Sequence, residues 1–433
     1  MQLTLFPDKE KTKRKNYRAI NKLQPLDHRF HDWYRFVLSF PPHLVREYSQ
    51  RFGLKPGNTI LDPFCGTGTT ILEGKLCGIH GVGIESNDVA YFASKVKTNW
   101  NLNADELIKH AEKIAQAVSK GKDYFNKEDL RKLPEDSFKL LIKNSISPIP
   151  LHKTLCLLER INLNKQESFY NHELLALAHA LVFSISNLHF GPEVGVRRKK
   201  ILDASVVENW LTQIYKMGGD LKHGQSKTMA FNTSSEVFNA DSRNVANLLK
   251  PESIDAVFTS PPYPNEKDYT RTTRLESVLL GFINDKHELR TVKKGLLRSN
   301  TRNVYKGDED HLWVEKYPQI IEIADKIEAK RIELGKTSGF EKLYGRVTKL
   351  YFGGIARHLS SLRPFLKPGA HLGYVVGDQA SYLRIMIRTG QFLAEIAQSL
   401  GYELINIDLF RTRMATATKS ELNEEVVVLR WNG

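Results

Sequence analysis

The spacing of apolar and polar residues predicts helices and strands in alternation near the start of the chain. Apolar residues recur every three or four positions in the predicted helices and run continuously in the predicted strands. In chain order, the pattern predicts helices at 28–37 and 43–52, a strand at 58–62, a helix at 69–76, a strand at 80–84 and a helix at 87–98. This alternation is typical of the first half of a doubly wound α/β sheet.

The pattern then becomes mainly helical over 101–230, with loops expected at 147–150 and 190–196. Strand patterns return at 237–240, 254–259, 371–376, 402–409 and 425–431, and an amphipathic helix is predicted at 391–400. We therefore expect an α/β, doubly wound, Rossmann-like sheet with two insertions. The predicted divisions are a flexible basic tail at 1–27, a catalytic domain at 28–100 and 236–433, a helical insertion at 101–235 and a smaller basic insertion at 280–345.

Composition narrows the class of protein. The 433 residues are 41% hydrophobic, which is enough for a packed core and argues against wholesale disorder. Three cysteines without a CxxC pair, and scattered histidines, predict neither a disulfide scaffold nor a zinc site. No apolar run approaches the roughly 18 residues of a membrane span, so we expect a cytoplasmic protein. The net charge of +14 favours a polyanionic partner.

A glycine-rich turn follows the first predicted strand, from Asp62 to Gly68. Glycines allow close approach of a ligand to the backbone, and the helix after the turn offers unpaired N–H groups. Glu85 ends the next predicted strand, where a carboxylate can accept hydrogen bonds from both ribose hydroxyls of a nucleoside. The turn lacks the Gly-Lys-Ser/Thr ending of a phosphate loop, and Asp62 would repel a pyrophosphate but attract an ammonium group. These charges suit S-adenosyl-L-methionine; the alternative is a tight strand–helix turn that merely contains glycines.

The second signal is Ser260-Pro261-Pro262-Tyr263, at the end of a predicted apolar strand. The prolines stiffen the strand exit and leave carbonyls free to face a ligand. The Ser260 hydroxyl and the Pro261 carbonyl could hold the two hydrogens of an exocyclic amino group, and Tyr263 could stack on the ring. Such a group lies inside the DNA stack, so a duplex base would have to be flipped out to reach it. The alternative is a rigid strand exit followed by an ordinary buried tyrosine.

Together the two motifs make the chain resemble the amino-group DNA methyltransferases. Leu61–Thr70 matches the family's cofactor motif and Ser260–Tyr263 its catalytic motif. The resemblance covers roughly 28–100 and 236–433 and leaves out 101–230. It implies Ser260, Pro261, Pro262 and Tyr263 as catalytic residues. It also implies that Phe64, Gly66 and Gly68 line the methionine part of S-adenosyl-L-methionine, while Asp62 meets its amino group, Glu85 its ribose and Asp241 its adenine.

The resemblance also bears on the substrate. Serine at the first catalytic position usually accompanies N4-cytosine methylation in this family, which implies a site-specific enzyme of a bacterial restriction-modification system. The helical insertion is then a candidate target-recognition region. N6-adenine methylation and RNA base methylation remain alternatives, and a non-catalytic DNA-binding or clamp-associated protein is an alternative of another class.

Basic residues near the motifs are candidates for contact with DNA phosphates, and a nucleoid-associated location would follow. They are Arg197, Arg198, Lys199, Lys200, Arg271, Arg274, Lys293, Lys294, Arg298 and Arg302. A charge run is also commonly a solvated face. Near the N-terminus, Gln2, Leu3, Leu5 and Phe6 resemble a peptide that docks to the replication sliding clamp; the alternative is an apolar segment that packs on its own domain.

Overall fold

A seven-stranded sheet forms the centre of the computed structural model, which describes residues 25–36, 39–190, 193–265, 267–414 and 421–433. The strands of this sheet are β1 (Thr59–Asp62), β2 (His80–Glu85), β5 (Ser235–Asn239), β6 (Ile254–Thr259), β7 (Leu366–Gly377), β8 (Glu403–Met414) and β9 (Glu421–Arg430). Two further strands, β3 (Leu188–Phe190) and β4 (Val194–Val196), form a separate hairpin. The strand order in the large sheet is β5-β2-β1-β6-β7-β9-β8.

Helices pack against the sheet and also make up most of the insertions. Those in the first half of the chain are α1 (Pro42–Arg51), α2 (Thr69–Leu76), α3 (Asp88–Thr98), α4 (Ala104–Lys120), α5 (Glu135–Leu140), α6 (Pro148–Asn162), α7 (Tyr170–Ala180), α8 (Val206–Gln225) and α9 (Thr228–Asn232). Those in the second half are α10 (Tyr269–Thr272), α11 (Arg274–Leu279), α12 (Lys286–Gly295), α13 (Pro318–Glu333), α14 (Tyr344–Leu362) and α15 (Thr389–Ser399). No helix among the described residues combines the length and apolar character needed to cross a membrane.

Strand direction confirms the predicted doubly wound α/β class. β1 runs parallel to β2 on one side and to β6 on the other, and β5 and β7 continue the parallel arrangement outward. β9 runs antiparallel to both β7 and β8. The chain winds away from β1 in both directions, so the carboxyl ends of β1 and β6 border a crevice, which is where ligands bind in open α/β sheets.

The predicted helical insertion does not have a core separate from that of the sheet. Trp210 and Leu107, on α8 and α4, belong to the same buried apolar cluster as Leu72 on α2 and Phe92 on α3. The mainly helical character predicted for 101–230 is confirmed. The insertion therefore extends the apolar core on one face of the sheet, while its role in target recognition stays a prediction.

Three local predictions are wrong. The described part of 28–37 forms a short 3₁₀ turn, His31–Trp33, rather than an α-helix, because Phe30 has a left-handed φ of 59° and its N–H donates to Asp220 on α8. The loop expected at 147–150 is the start of α6, where Pro148 favours the first helical position. The loop expected at 190–196 belongs to the β3–β4 hairpin.

Candidate active site

The crevice at the carboxyl ends of β1, β2, β6 and β7 contains a cavity of about 270 Å³. Both sequence motifs border it. Phe64 and Gly66 of the glycine turn line one side, Glu85 lies at the end of β2, and Ser260 and Tyr263 line the side formed by β6. The parallel register of β1 and β6 produces this meeting, because Leu61 pairs with Val257 just before the two strands end.

The glycine turn and the end of β2 hold each other in place. Gly66, with a φ of 51°, donates its N–H to one oxygen of Glu85 at 2.8 Å, and Asn87 donates its N–H to the other oxygen at 2.7 Å. Burial raises the pKa of Glu85 to about 7 despite these two hydrogen bonds. Each carboxyl oxygen keeps further lone pairs, so Glu85 can accept hydrogen bonds from a ligand in the cavity.

The structure gives Asp62 a structural role that the sequence did not predict. It is fully buried beneath the turn, with 0% exposure, and does not belong to the cavity wall. Its Oδ1 accepts hydrogen bonds from the Thr259 hydroxyl at 2.6 Å and from the Phe64 N–H at 3.1 Å. Burial raises its pKa to about 6. Through Oδ1, Asp62 therefore joins the glycine turn to the end of β6. Its Oδ2 has no hydrogen-bond partner among the described residues, and the expected contact with a ligand ammonium group stays a prediction.

Gly68 is also absent from the cavity wall. Its φ is 82°, and a Cβ at this position would lie 2.4 Å from the hydroxyl oxygen of Ser94 on α3. The residue is thus required for close packing between the turn and α3. Contact between Gly68 and the methionine part of a cofactor stays a prediction.

Asp241 lies at the edge of the site, just after β5. Its carboxylate forms an ion pair with Arg243 at 2.6 Å, and Arg243 also pairs with Asp310 at 2.5 Å. The next residue, Ser242, lines the cavity. Contact between Asp241 and an adenine stays a prediction, and any such contact would be made by a carboxylate that already has a cationic partner.

The Ser-Pro-Pro-Tyr segment at the end of β6 has a defined hydrogen-bond direction. The Ser260 hydroxyl donates to the carbonyl of Val375 on β7 at 3.1 Å. Among the described residues, none donates to the Pro261 carbonyl. Tyr263 packs against Gly377 at the end of β7, where a Cβ would lie only 2.9 Å from its ring. The absence of a side chain at 377 therefore makes room for the tyrosine ring at the cavity.

Several residues on the cavity wall were not predicted from the sequence. Lys267 and the ion-paired Arg411 and Glu424 border it. Ser299 and Asn303, on the loop at 298–308, also line it. Burial lowers the pKa of Lys267. Only one of these features leaves a sequence signal: Arg411 and Arg413 are two positions apart just after the strand predicted at 402–409, a spacing that puts both on one face if the strand continues.

Burial removes some of the predicted DNA contacts. Arg298 is 4% exposed and forms a two-pronged ion pair with Asp308, so its predicted phosphate contact is wrong. Lys293 is mostly buried against Asp268 at 2.8 Å, and Arg274 donates to the Thr270 carbonyl at 3.1 Å.

The other predicted basic residues differ in their exposure. Lys294 and Arg302 are exposed, as are Arg197, Arg198 and Lys199, while Lys200 and Arg271 are half-buried. These residues stay candidates for contact with phosphates. The clamp-like residues Gln2, Leu3, Leu5 and Phe6 lie outside the described residues.

Comparisons with known proteins find similarity over much more of the chain than the two motifs. A family model described as DNA methylase, N6_N4_Mtase, matches residues 4–95. The type II methyltransferase M.BsoBI of Geobacillus stearothermophilus is 26% identical, over 95% of this chain and 86% of that protein. The type II methyltransferase M.AvaI of Nostoc sp. is 23% identical, over 92% of this chain and 86% of its own length. Among solved structures, TrmN from Thermus thermophilus aligns with 94% of this chain and 54% of its own, with 12% identity and a TM-score of 0.30.

The family assignment rests on this agreement between local geometry and overall similarity. The glycine turn and the Ser-Pro-Pro-Tyr strand end face each other across one cavity. Type II methyltransferases match nearly the whole chain, so the match includes the insertions that the motifs leave out. The local geometry and the overall similarity together support the amino-group DNA methyltransferase family for this chain.

Proposed function

We propose that this protein transfers a methyl group from S-adenosyl-L-methionine to the exocyclic N4 of a cytosine flipped out of duplex DNA. We propose further that it does so at a specific sequence, as the modification enzyme of a restriction-modification system. Two relatives named as type II methyltransferases support the second part. The chemistry of the first part is supported by the cavity itself.

The observation that carries the proposal is the direction of the Ser260 hydrogen bond. Because its O–H donates to Val375, the hydroxyl oxygen can offer a ligand only its lone pairs. The Pro261 carbonyl is likewise an acceptor. Two acceptors select a group with two hydrogens, which is an exocyclic amino group and not a ring carbonyl. Serine in this position favours cytosine over adenine through its resemblance to the N4-methylating members of the family.

The residues present fit the proposed methyl donor. Glu85 presents a carboxylate that can accept from ribose hydroxyls, Gly66 leaves room for close approach of a ligand to the backbone, and Phe64 supplies an apolar wall. When bound, S-adenosyl-L-methionine supplies an electrophilic methyl group on a cationic sulfur.

The chain's own residues would position the acceptor nitrogen. Ser260 and Pro261 would hold the amino hydrogens, which directs the nitrogen lone pair toward the donor side of the cavity. Tyr263 would stack on the base, a contact worth about 1–3 kcal/mol per base on single-stranded nucleic acid. Acceleration would come from positioning and electrostatics, since this arrangement needs no covalent intermediate.

Replacing the serine tests the proposal. We expect Ser260→Ala to lower the rate of methyl transfer by about 10- to 100-fold, because one of two acceptors for the amino group is lost. Binding of S-adenosylhomocysteine should persist. The control is Ser253→Ala, one residue before the opposite end of β6, where the hydroxyl donates to the Lys250 carbonyl.

The modified base is identified by digesting methylated DNA to nucleosides and analysing them by mass spectrometry. We expect N4-methylcytosine. N6-methyladenine would overturn the choice of base while leaving amino methylation in place. A wild-type protein that methylates RNA but not DNA, or neither, would overturn the proposed function.

A further inference from the structure

The loop at 298–308, called the roof below, lines the cavity through Ser299 and Asn303. Hydrogen bonds within the loop and to neighbouring segments fix its shape. Arg298 and Asp308 close the loop with two hydrogen bonds of 2.9 Å each, near the start and the end of 298–308. Within it, the Ser299 carbonyl accepts from the Tyr382 hydroxyl at 2.9 Å, and Asn300 donates to the Lys267 carbonyl at 3.0 Å. The loop is therefore held in position without a ligand.

This rigid loop places one polar side chain in the roof with an unsatisfied group. Asn303 lines the cavity and is 1% exposed. Within the described part of the chain, its carbonyl oxygen Oδ1 has no hydrogen-bond partner. Buried amide oxygens are nearly always bonded, because leaving one unbonded after removal from water is unfavourable. An unbonded acceptor on a preorganised cavity wall points to a donor supplied by a ligand.

We propose that Asn303 Oδ1 accepts a hydrogen bond from the exocyclic amino group of a bound aminated heterocycle. This inference rests on the proposed function, which brings two such rings into the cavity: the adenine of the methyl donor and the flipped base. Both present an amino group beside a ring nitrogen, so an amide can recognise either. Asn303 then joins Ser260 and Pro261 as a residue that distinguishes amino groups from carbonyls.

The test replaces the amide with an apolar side chain of similar size, Asn303→Leu. Calorimetry with S-adenosylhomocysteine measures contact with adenine, and kcat and KM for methyl transfer to unmethylated phage DNA measure contact with the target base. We expect about a tenfold loss in one of the two, the effect of one hydrogen bond. A loss of S-adenosylhomocysteine affinity assigns the contact to adenine. A loss in kcat/KM for DNA alone assigns it to the flipped base.

Thermal unfolding separates this role from a structural one. Because Oδ1 makes no bond within the described protein, Asn303→Leu should leave the melting temperature unchanged or raise it. If leucine does not fit, Asn303→Ala serves the same purpose. The matched control is Asn432→Leu, whose amide donates to Glu403 at 3.0 Å, at the opposite end of the sheet.

Two results would overturn the inference. One is wild-type behaviour of both Asn303 variants in both arms. The other is a lowered melting temperature with parallel losses in both arms, because that pattern indicates a packing residue. A wild-type protein that binds no S-adenosylhomocysteine and methylates no DNA would instead contradict the proposed function.

Discussion

The ionisation of Glu85 predicts how cofactor binding depends on pH. Burial raises its pKa to about 7, whereas the ionised carboxylate is the better acceptor for ribose hydroxyls. The ligand should therefore bind best above pH 7. We expect the affinity for S-adenosylhomocysteine to fall about tenfold per pH unit below pH 7, because one proton must be released for each ligand bound. Calorimetric titration between pH 5.5 and 8.5 measures this.

The stability of the free protein should change in the opposite direction. A carboxyl group whose pKa is raised on folding stabilises the fold below its unfolded value of about 4.5, and that contribution is lost as the pH rises through about 7. Unfolding temperatures without ligand therefore provide the control for the binding curve. In Glu85→Gln the affinity should be low and independent of pH. A binding curve for this variant that still bends near pH 7 would mean that another group titrates.

The close contact at Gly68 predicts a loss of stability when a side chain is added. In Gly68→Ala the new Cβ would meet the Ser94 hydroxyl at 2.4 Å, and the φ of 82° adds about 1–2 kcal/mol of backbone strain. We expect a melting temperature several degrees lower, measured by circular dichroism.

A second substitution tests the cause of that loss. Ser94→Gly should recover part of the stability in the double variant, because it removes the two side-chain atoms nearest to the new Cβ. A stable Gly68→Ala protein that no longer binds S-adenosylhomocysteine would instead support the prediction that Gly68 borders the cofactor.

At single positions, the sequence indicates which residue types carry the chemistry but not the direction in which they face. Glu85 and Ser260 were predicted at strand ends, and both line the cavity. Asp62 and Gly68 belong to the same motif but face the protein interior, because a tight turn must satisfy its own backbone and packing before it meets a ligand. Asn303 could not be predicted, because the loop that positions it depends on distant residues such as Tyr382.

Neighbouring strands, rather than single residues, determine where Tyr263 lies. The ring on the exit of β6 occupies space that Gly377 leaves open at the end of β7. In Gly377→Ala the added Cβ would lie 2.9 Å from the ring, so the ring must move. We expect kcat/KM for DNA to fall about tenfold, since the stacking surface for the base shifts while the glycine turn is untouched.

The affinity for S-adenosylhomocysteine should stay at the wild-type value in this variant. Gly339→Ala is the matched control, because a Cβ there meets nothing within 4 Å. Unchanged methyl transfer by Gly377→Ala would show that the position of Tyr263 does not limit the reaction.

The order of elements was largely predictable, while their local conformations were less so. Apolar runs of four to six residues identified the parallel strands because such strands are buried on both faces. The spacing of aromatic residues at 28–37 wrongly predicted a helix, because Trp33 and Phe30 both donate to Asp220 on α8, a contact that local periodicity does not contain. The β3–β4 hairpin was missed because each of its strands has only three residues.

For the whole molecule, the charge of +14 is informative only after buried cations are separated from exposed ones. Arg298 and Lys293 stabilise the roof and α12 through ion pairs with Asp308 and Asp268. Lys294 and Arg302 belong to the same basic stretch and remain exposed, so they are available to phosphates. The electrostatic contribution to DNA binding should therefore come from the exposed members alone.

The salt dependence of DNA binding tests this separation. Neutralising Lys294 and Arg302 together, each to Gln, should lower the slope of log affinity against log salt by about two, because each phosphate contact releases roughly one counterion. Fluorescence anisotropy of a labelled duplex between 50 and 300 mM salt measures the slope, in steps of about 50 mM.

The control neutralises two exposed lysines, Lys55 and Lys250, which precede β1 and β6 at the opposite edge of the sheet. This pair should leave the slope unchanged, because the cavity lies at the carboxyl ends of the strands, at the other edge. If both double variants lowered the slope equally, net charge rather than local contact would govern binding. If neither did, the exposed basic residues after β6 would be a solvated face. The phosphates would then have to be held elsewhere, for instance by Arg197, Arg198 and Lys199 beside the hairpin.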